Sequence, residues 1–136
     1  MSLPPVAPCP CGRRDQRGQA LAFSRCCGRY LADFSRTPAP DAEALMRSRY
    51  SAFVLEDADY LLATWHASTR PPQLGFEAGL KWLGLEVRDA RQPDADHAEV
   101  EFVARSRLAG RGHRLHERSR FVCEGGRWQY LEGELK

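Results

Sequence analysis

The sequence contains no long hydrophobic run, and this absence excludes a membrane-spanning helix. Its apolar runs are only a few residues long, whereas a helix that crosses a bilayer needs about 20 apolar residues. The first residues, MSLPPVAPCPC, show no basic stretch followed by an apolar one, so we expect no secretory signal peptide and a cytoplasmic location. An excess of one charge is also lacking, since 20 basic and 18 acidic residues give a net charge of +2. The 136 residues are enough for one globular domain with a small appendage.

Cysteine is scarce, and its clustering argues against a disulfide scaffold. Only five cysteines are present, and four of them fall in the first 27 residues: Cys9, Cys11, Cys26 and Cys27. Clustered cysteines in a protein that is not exported more often bind a metal or carry out redox chemistry. Four thiolates satisfy tetrahedral Zn²⁺ and leave no open position, which predicts a structural zinc site. An ordinary pair of buried thiols and a redox pair are the alternatives, because C-x-C and C-C are not the spacings of common zinc ribbons.

The basic residues are concentrated near the same cysteines. Residues 1–36 carry a net charge of +4, whereas the remaining residues carry −2. A zinc centre with four thiolates has a formal charge of −2, so nearby arginines are expected to stabilise it. Binding of single-stranded nucleic acid is the alternative, but it requires stacking aromatics, and only three are available in this region. The arginines and aromatics concerned are Arg13, Arg14, Arg25, Arg29, Phe23, Tyr30 and Phe34.

Beyond the proline-rich stretch at 37–40, the hydrophobic spacing predicts helices first and an antiparallel sheet afterwards. Asp41 is a plausible N-cap for a helix over 42–55, which is followed by a second helix over 58–66 and a weaker helical segment over 76–82. From residue 83 the period changes to two. The predicted strands cover about 83–90, 98–107, 113–123 and 127–131. Helices followed by a meander of long strands indicate an α+β fold with a curved sheet around the helices.

The cysteine pattern CPCG…CCG resembles the SEC-C motif, the zinc-binding segment at the C-terminus of the SecA translocation ATPase. This resemblance implies that Cys9, Cys11, Cys26 and Cys27 are the zinc ligands. The motif usually has about eight residues between its two cysteine pairs, whereas 14 residues intervene here. A longer loop costs little closure entropy, on the order of half a kcal/mol per doubling.

Further strings along the body, MRSRYSAF, ERSRF and GRWQYLEG, are similar to the YchJ family of bacterial proteins. That resemblance implies a SEC-C-like zinc-binding segment over 1–36, followed over 37–136 by an α+β domain of the nuclear transport factor 2-like type. Such domains are cone-shaped, with helices packed in a curved antiparallel sheet, and many of them pair into homodimers through the sheet. The resemblance implies no particular biochemical activity.

Two charged residues interrupt faces that are otherwise apolar. Arg49 lies in the middle of the apolar stripe of the first long helix, and Glu117 shares a strand face with Phe121. An unpaired buried charge is costly, so we expect the two to meet or to line one cavity, with a structural ion pair as the alternative. Several aromatic-ring side chains are expected to line that pocket, although they would equally fill a core: Tyr50, Tyr60, Trp65, His66, Trp128 and Tyr130.

Three functions are compatible with these patterns. The first is a non-enzymatic adaptor whose zinc knuckle docks on a protein partner and whose cone holds a small ligand, by analogy with the protein-docking motif of SecA. The second is a small-molecule isomerase or dehydratase that uses a pocket carboxylate such as Glu117. The third is nucleic-acid binding through the basic N-terminal segment. We favour the first, with Zn²⁺ as a structural cofactor.

Overall fold

The computed structural model describes residues 3–136. Its largest element is an antiparallel sheet of four strands, in which each strand pairs with the next one along the chain. The strands are β1 (Lys81–Arg91), β2 (His97–Leu108), β3 (Arg111–Glu124) and β4 (Arg127–Leu135). The predicted helices-then-meander order is therefore confirmed, and all four strands run beyond the predicted bounds, β4 by the most.

Two-residue turns explain why β2 and β3 are longer than predicted. Ala109 and Gly110 join these strands with φ values of 52° and 78°. Gly125 and Gly126 join β3 to β4 with φ values of 59° and 78°. Consecutive left-handed residues form the tight hairpin turn whose twist matches that of the flanking strands. Ladder pairing consequently continues to Leu108 and Arg111, whereas the predicted strands ended at 107 and began again at 113.

Within residues 3–136, three α-helices accompany the sheet: α1 (Gly28–Ala32), α2 (Ala42–Leu55) and α3 (Ala58–Ala63). The bounds of α2 match the prediction. The Asp41 carboxylate accepts a hydrogen bond from the backbone N–H of Ala44 at 2.7 Å, as an N-cap does. Glu56 ends α2 in the left-handed conformation, with φ 56°.

Two of the helix predictions are wrong. The second helix ends at Ala63 and not at residue 66, because the backbone of the next residues pairs with β4: the N–H of Tyr130 donates to the carbonyl of Thr64, and the N–H of His66 donates to the carbonyl of Tyr130. His66 therefore does not end a helix. Residues 76–80 form no helix, and β1 begins at Lys81. Gly79, with φ 80°, is a poor helix residue at that point.

The core lies between α2 and the concave face of the sheet. Leu45 and Leu61 from the helices, and Val100 and Phe121 from the strands, are at most 1% exposed. The pairing of β1 with β2 is irregular at two places, and such bulges bend a sheet. The result is a cone of helices within a curved antiparallel sheet.

The segment before α2 has little regular structure. Residues 13–21 form a narrow hairpin, followed by one 3₁₀ turn (Phe23–Arg25) and by α1. The segment that leads into α2 is held to β4 by Arg127. Its guanidinium donates to the backbone carbonyls of Phe34, at 2.8 Å, and Ser35. Within residues 3–136, no helix is both long and apolar enough to span a bilayer.

Candidate metal centre and cone cavity

The four N-terminal cysteines converge on one point. Their Sγ atoms all lie within 4.8 Å of one another, and the four residues are between 0 and 6% exposed. The Sγ atoms of Cys11 and Cys26 are 3.6 Å apart. A tetrahedron with Zn–S bonds of ~2.3 Å has edges of about 3.8 Å, so this cluster has the size of a four-thiolate metal site.

The protons of this cluster are shared unevenly. Hydrogen bonds from Cys26 and Cys27 lower the pKa of the Cys11 thiol to about 7. Hydrogen bonds with Cys11 raise the pKa of both Cys26 and Cys27 above the ordinary thiol value. Thiols packed this closely cannot all ionise without a cation among them, and a divalent metal ion supplies the charge that they lack.

Two glycines allow the chain to fold around the sulfurs, but for different reasons. Gly12 follows the first pair and takes a left-handed conformation, with φ 75°, so it provides the turn that carries the chain away from Cys11. Gly28 follows the second pair but lies inside α1, where a Cβ atom would come within 2.6 Å of the Phe23 carbonyl oxygen. Gly28 is therefore needed for close packing and not for a turn.

The cysteine cluster packs directly on α2. The Ser51 hydroxyl lies 3.6 Å from the Cys9 sulfur, within hydrogen-bond reach. The Arg47 guanidinium donates to the carbonyl of Cys11 at 3.1 Å and to Glu43 at 2.9 Å. Sequence reasoning missed Arg47 because it looked for compensating cations only near the cysteines in sequence, and α2 supplies this one from 36 residues away.

Among the arginines predicted to surround the cluster, the bond to a cluster sulfur comes from a backbone N–H. The guanidinium groups of Arg14 and Arg29 bind nearby carbonyl and hydroxyl oxygens instead. The backbone N–H of Arg13 donates to the Cys11 sulfur at 3.4 Å. The Arg29 side chain donates to the carbonyl of Cys26 and to the Tyr30 hydroxyl, whereas that of Arg14 donates to the carbonyl of Gly18 in the hairpin. Arg25 is exposed. Tyr30 is only 5% exposed, so its ring is not available for stacking on a nucleic-acid base.

A second candidate site is a cavity of about 240 Å³ between α2 and the concave face of the sheet. Five of the predicted pocket residues line it: Arg49, Tyr50, Trp65, Glu117 and Tyr130. The walls are largely aromatic, and their rings meet edge to face; Tyr130, for example, packs 5.1 Å from Trp65 and 5.8 Å from Phe121. Arg49 and Glu117 therefore line one cavity, and no ion pair joins them within the described chain.

Arg49 is the buried cation of this cavity. Its guanidinium donates through Nη1 to the carbonyl of Leu61 at 2.7 Å and to the Thr64 hydroxyl at 2.8 Å. The same group lies over the rings of Trp65, at 5.0 Å, and Tyr130, at 4.6 Å. Burial lowers the pKa of Arg49 to about 10, so the side chain remains charged at neutral pH.

Glu117 is the acidic residue of the same cavity. Its Oε2 atom accepts a hydrogen bond from the Ser119 hydroxyl at 2.6 Å. The side chain passes over Gly133 on β4, where a Cβ atom would collide with the carboxylate. Burial, with the charge of Glu117 in addition, raises the pKa of Tyr130 to about 12. A glycine on the neighbouring strand thus makes room for the carboxylate, and the sequence pattern of β3 alone did not show this.

Three of the predicted lining residues lie elsewhere. Trp128 faces the helices two residues before Tyr130 on β4 and lines a smaller cleft with Phe34 and Tyr60, near the connection to α2. The sequence predicts Trp128 in the same pocket as Tyr130, but its side chain packs beside Phe34, Ala39 and Tyr60 instead. His66 lies outside the cavity, where Glu124 contacts its Nε2 atom at 3.0 Å.

His66 also contacts Ser68, and this grouping was not expected from the sequence. The Ser68 hydroxyl is 2.7 Å from Nδ1 of the His66 ring, and the backbone N–H of Ser68 donates to the same nitrogen at 3.2 Å. Ser68 and Glu124 are exposed, and neither lines the cone cavity. The grouping is therefore a surface contact between the turn after α3 and the end of β3.

The structure thus has two parts. The cone consists of α2, α3 and the four-stranded sheet, and the cysteine knuckle is the segment that contains Cys9, Cys11, Cys26 and Cys27 and packs on α2. Residues 41–133 match the family model described as YchJ, middle NTF2-like domain. The chain belongs to the YchJ family.

Relatives and solved structures agree with this assignment. A UPF0225 protein from Polaromonas sp. (strain JS666) is 66% identical, over 99% of this chain and 98% of that protein. A UPF0225 protein from Bordetella parapertussis is 53% identical over the whole of both chains. The solution structure of a SEC-C motif containing protein from Rhodopseudomonas palustris is 34% identical, with a TM-score of 0.77, over 94% of this chain and 98% of that one. The crystal structure of a SEC-C motif containing protein from Psychrobacter arcticus is 28% identical, with a TM-score of 0.79, over 97% of this chain and 84% of that one.

Proposed function

We propose that this protein is a zinc-stabilised adaptor without catalytic activity, in which Cys9, Cys11, Cys26 and Cys27 hold a structural Zn²⁺. The convergence of four buried sulfurs within 4.8 Å carries this proposal. A site with four thiolates leaves no position for substrate, so the metal contributes folding free energy and not chemistry. Reduced thiols require a reducing compartment, which is why the cytoplasm is the proposed location.

Metal content tests the zinc proposal directly. Protein purified without added metal is expected to contain close to one zinc per chain by elemental analysis. Cys26→Ser should lose most of that zinc, because three thiolates hold the ion less tightly than four. Cys123→Ser is the matched control, since Cys123 lies outside the cluster, and it should retain the metal. A zinc-free parent protein with four free thiols would contradict the proposal.

The proposed docking surface for a protein partner is the arginine-rich hairpin at 13–21. Arg14 and Arg17 are exposed there, while the sulfurs themselves are covered by α2. The surface is basic, so an acidic protein face is the complementary partner. Pairing of two copies through the outer face of the sheet stays a prediction.

Site-specific crosslinking tests this role. A photoreactive residue at position 17 should give a discrete protein adduct in cells, and the adduct should disappear in the Cys26→Ser variant. The same residue at position 88, on the far side of the sheet, serves as the control. Equal adducts from both positions would contradict the proposal, and adducts to nucleic acid would favour the electrostatic alternative.

A small-molecule enzyme is the second candidate, and the cone cavity is the observation that favours it. A carboxylate at the wall of a largely apolar cavity has the setting of a general base. Glu117→Gln separates the two functions, because it should abolish turnover of a substrate by an enzyme. In an adaptor it should alter only the binding of a ligand.

A further inference from the structure

The cone cavity contains one cation whose hydrogen-bonding capacity is only partly used. Both hydrogen bonds of the Arg49 side chain come from Nη1, which leaves Nε and Nη2 without a protein partner among residues 3–136. No described carboxylate forms an ion pair with this group. A guanidinium binds a carboxylate through two parallel N–H donors, and such pairs are stronger than neutral hydrogen bonds.

The volume and walls of the cavity set the size of what fits. A cavity of about 150 Å³ accepts a benzene molecule in another protein. The cone cavity, at about 240 Å³, therefore has room for one aromatic ring with short substituents. Tyr50, Trp65, Trp82 and Tyr130 offer ring edges and faces to such a group.

The second charged group of the cavity, the Glu117 carboxylate, calls for a hydrogen-bond donor. The Glu117 carboxylate accepts one hydrogen bond from Ser119, and a carboxylate has capacity for more. A ligand that carried only an anionic group would place a like charge in the same cavity as Glu117. A hydroxyl or amino substituent on the ligand would instead donate to this carboxylate.

From the unused donors of Arg49, the aromatic walls and the acceptor on Glu117, we propose that the cone binds a small aromatic carboxylate bearing a hydroxyl or amino group. The acid of the ligand pairs with Arg49, its ring lies among the aromatic side chains, and its donor contacts Glu117. This inference goes beyond the proposed adaptor function, because it gives the cone cavity a ligand and names the chemical class of that ligand.

Three probes separate the contributions: 4-hydroxybenzoate has both polar groups, benzoate lacks the donor, and 4-hydroxybenzamide lacks the charge. Titration calorimetry on the zinc-containing full chain should rank them in that order, with 4-hydroxybenzamide weaker than 4-hydroxybenzoate by about tenfold or more. Tryptophan fluorescence gives a second readout, because Trp65 and Trp82 line the cavity. Trp128→Phe should leave the ligand-induced change in fluorescence intact.

Variants assign the contacts. Glu117→Gln should weaken 4-hydroxybenzoate by about three- to tenfold and change benzoate little or strengthen it, since only the first has a donor. Arg49→Lys should weaken both acids and leave the benzamide unaffected. Because Arg49 also connects α2 to α3, a second variant tests the cavity without touching it: Ala104→Leu fills the cavity from β2 and should abolish binding of all probes. Arg105→Leu is the matched control, because Arg105 is the next residue along β2 and its side chain is exposed and does not line the cavity.

The results test two separate claims: that the cone is a ligand pocket, and that its ligand is an aromatic carboxylate. Equal binding of 4-hydroxybenzoate and 4-hydroxybenzamide would overturn the carboxylate assignment while leaving a ligand pocket in place. Failure of every probe to bind at millimolar concentration, or binding unaffected by Ala104→Leu, would overturn the ligand class together with the pocket. The zinc content does not depend on any of these results, so the metal proposal is judged separately.

Discussion

The N-terminal knuckle and the cone are held together by different forces. In the cone, apolar side chains from two helices and four strands bury one another, and residues such as Leu61 and Phe121 are almost completely enclosed. Residues 3–36 contribute few large apolar side chains to a core, and their buried hydrophobic residues are the four cysteines and Tyr30. The comparison teaches that one short chain can combine a region stabilised by burial with a region whose shape depends on four sulfurs.

The largest effect should come from a cavity in the cone. Leu61→Ala removes a side chain that is 0% exposed and should lower the free energy of unfolding by about 2–5 kcal/mol. Urea unfolding monitored by tryptophan fluorescence measures this. Zinc content at neutral pH should stay near that of the parent, and a parallel loss of metal would show that the two regions are not independent.

An intermediate effect is expected in the knuckle from Gly28→Ala. The new methyl group would meet the Phe23 carbonyl oxygen at 2.6 Å, so the backbone next to Cys27 must shift. Overpacking of this kind costs about 1–3 kcal/mol. Competition with a chromogenic chelator should show weaker zinc retention, whereas Gly84→Ala, where a methyl group meets no atom within 4 Å, should retain zinc like the parent.

A smaller effect should follow from loosening the contact between the two regions. Arg47→Met removes the hydrogen bond to the Cys11 carbonyl and the ion pair with Glu43, at a cost of about 1–2 kcal/mol. Thermal unfolding of the zinc-loaded protein should begin at a lower temperature. Arg88→Met, which removes a partly exposed pair on the sheet, should change little; equal shifts in the two variants would mean that Arg47 does not couple the regions.

The smallest effect is expected in the pH dependence of cone stability, when the ion pairs of Arg118 on the outer face of the sheet are removed. Hydrogen bonds from Arg118 lower the pKa of Asp89 and Glu99, and those from His116 and Arg118 lower that of Glu101. Carboxylates with depressed folded-state pKa values add stability above their unfolded values, and this stability is lost as the pH falls through the folded values. Between pH 6 and pH 3, Arg118→Gln should therefore show a shallower loss of cone stability in urea than the parent. Identical pH dependence in both proteins would contradict the assignment.

The long periodic elements of the fold were predictable from the sequence, and the places where tertiary pairing overrides local preference were not. Helix α2 has both an N-cap at Asp41 and an apolar stripe that Arg49 interrupts but does not end, so its bounds match the prediction. Helix α3 stops early because β4 takes the backbone of Thr64 and His66 into its own pairing, an effect from residues about 65 positions away. The same limit applies to the site. Four cysteines in two pairs indicated a cluster, but Arg47 and Gly133 shape the sites through contacts that no local pattern contains.

Amide hydrogen exchange with and without a strong chelator tests the central claim most directly. Removal of the metal should bring the amides of residues 9–31 close to the exchange rates of an unfolded chain, whereas the amides of α2 and β1–β4 should stay protected. Knuckle amides that remain protected after complete removal of the metal would contradict the claim that four sulfurs around one ion give this segment its structure.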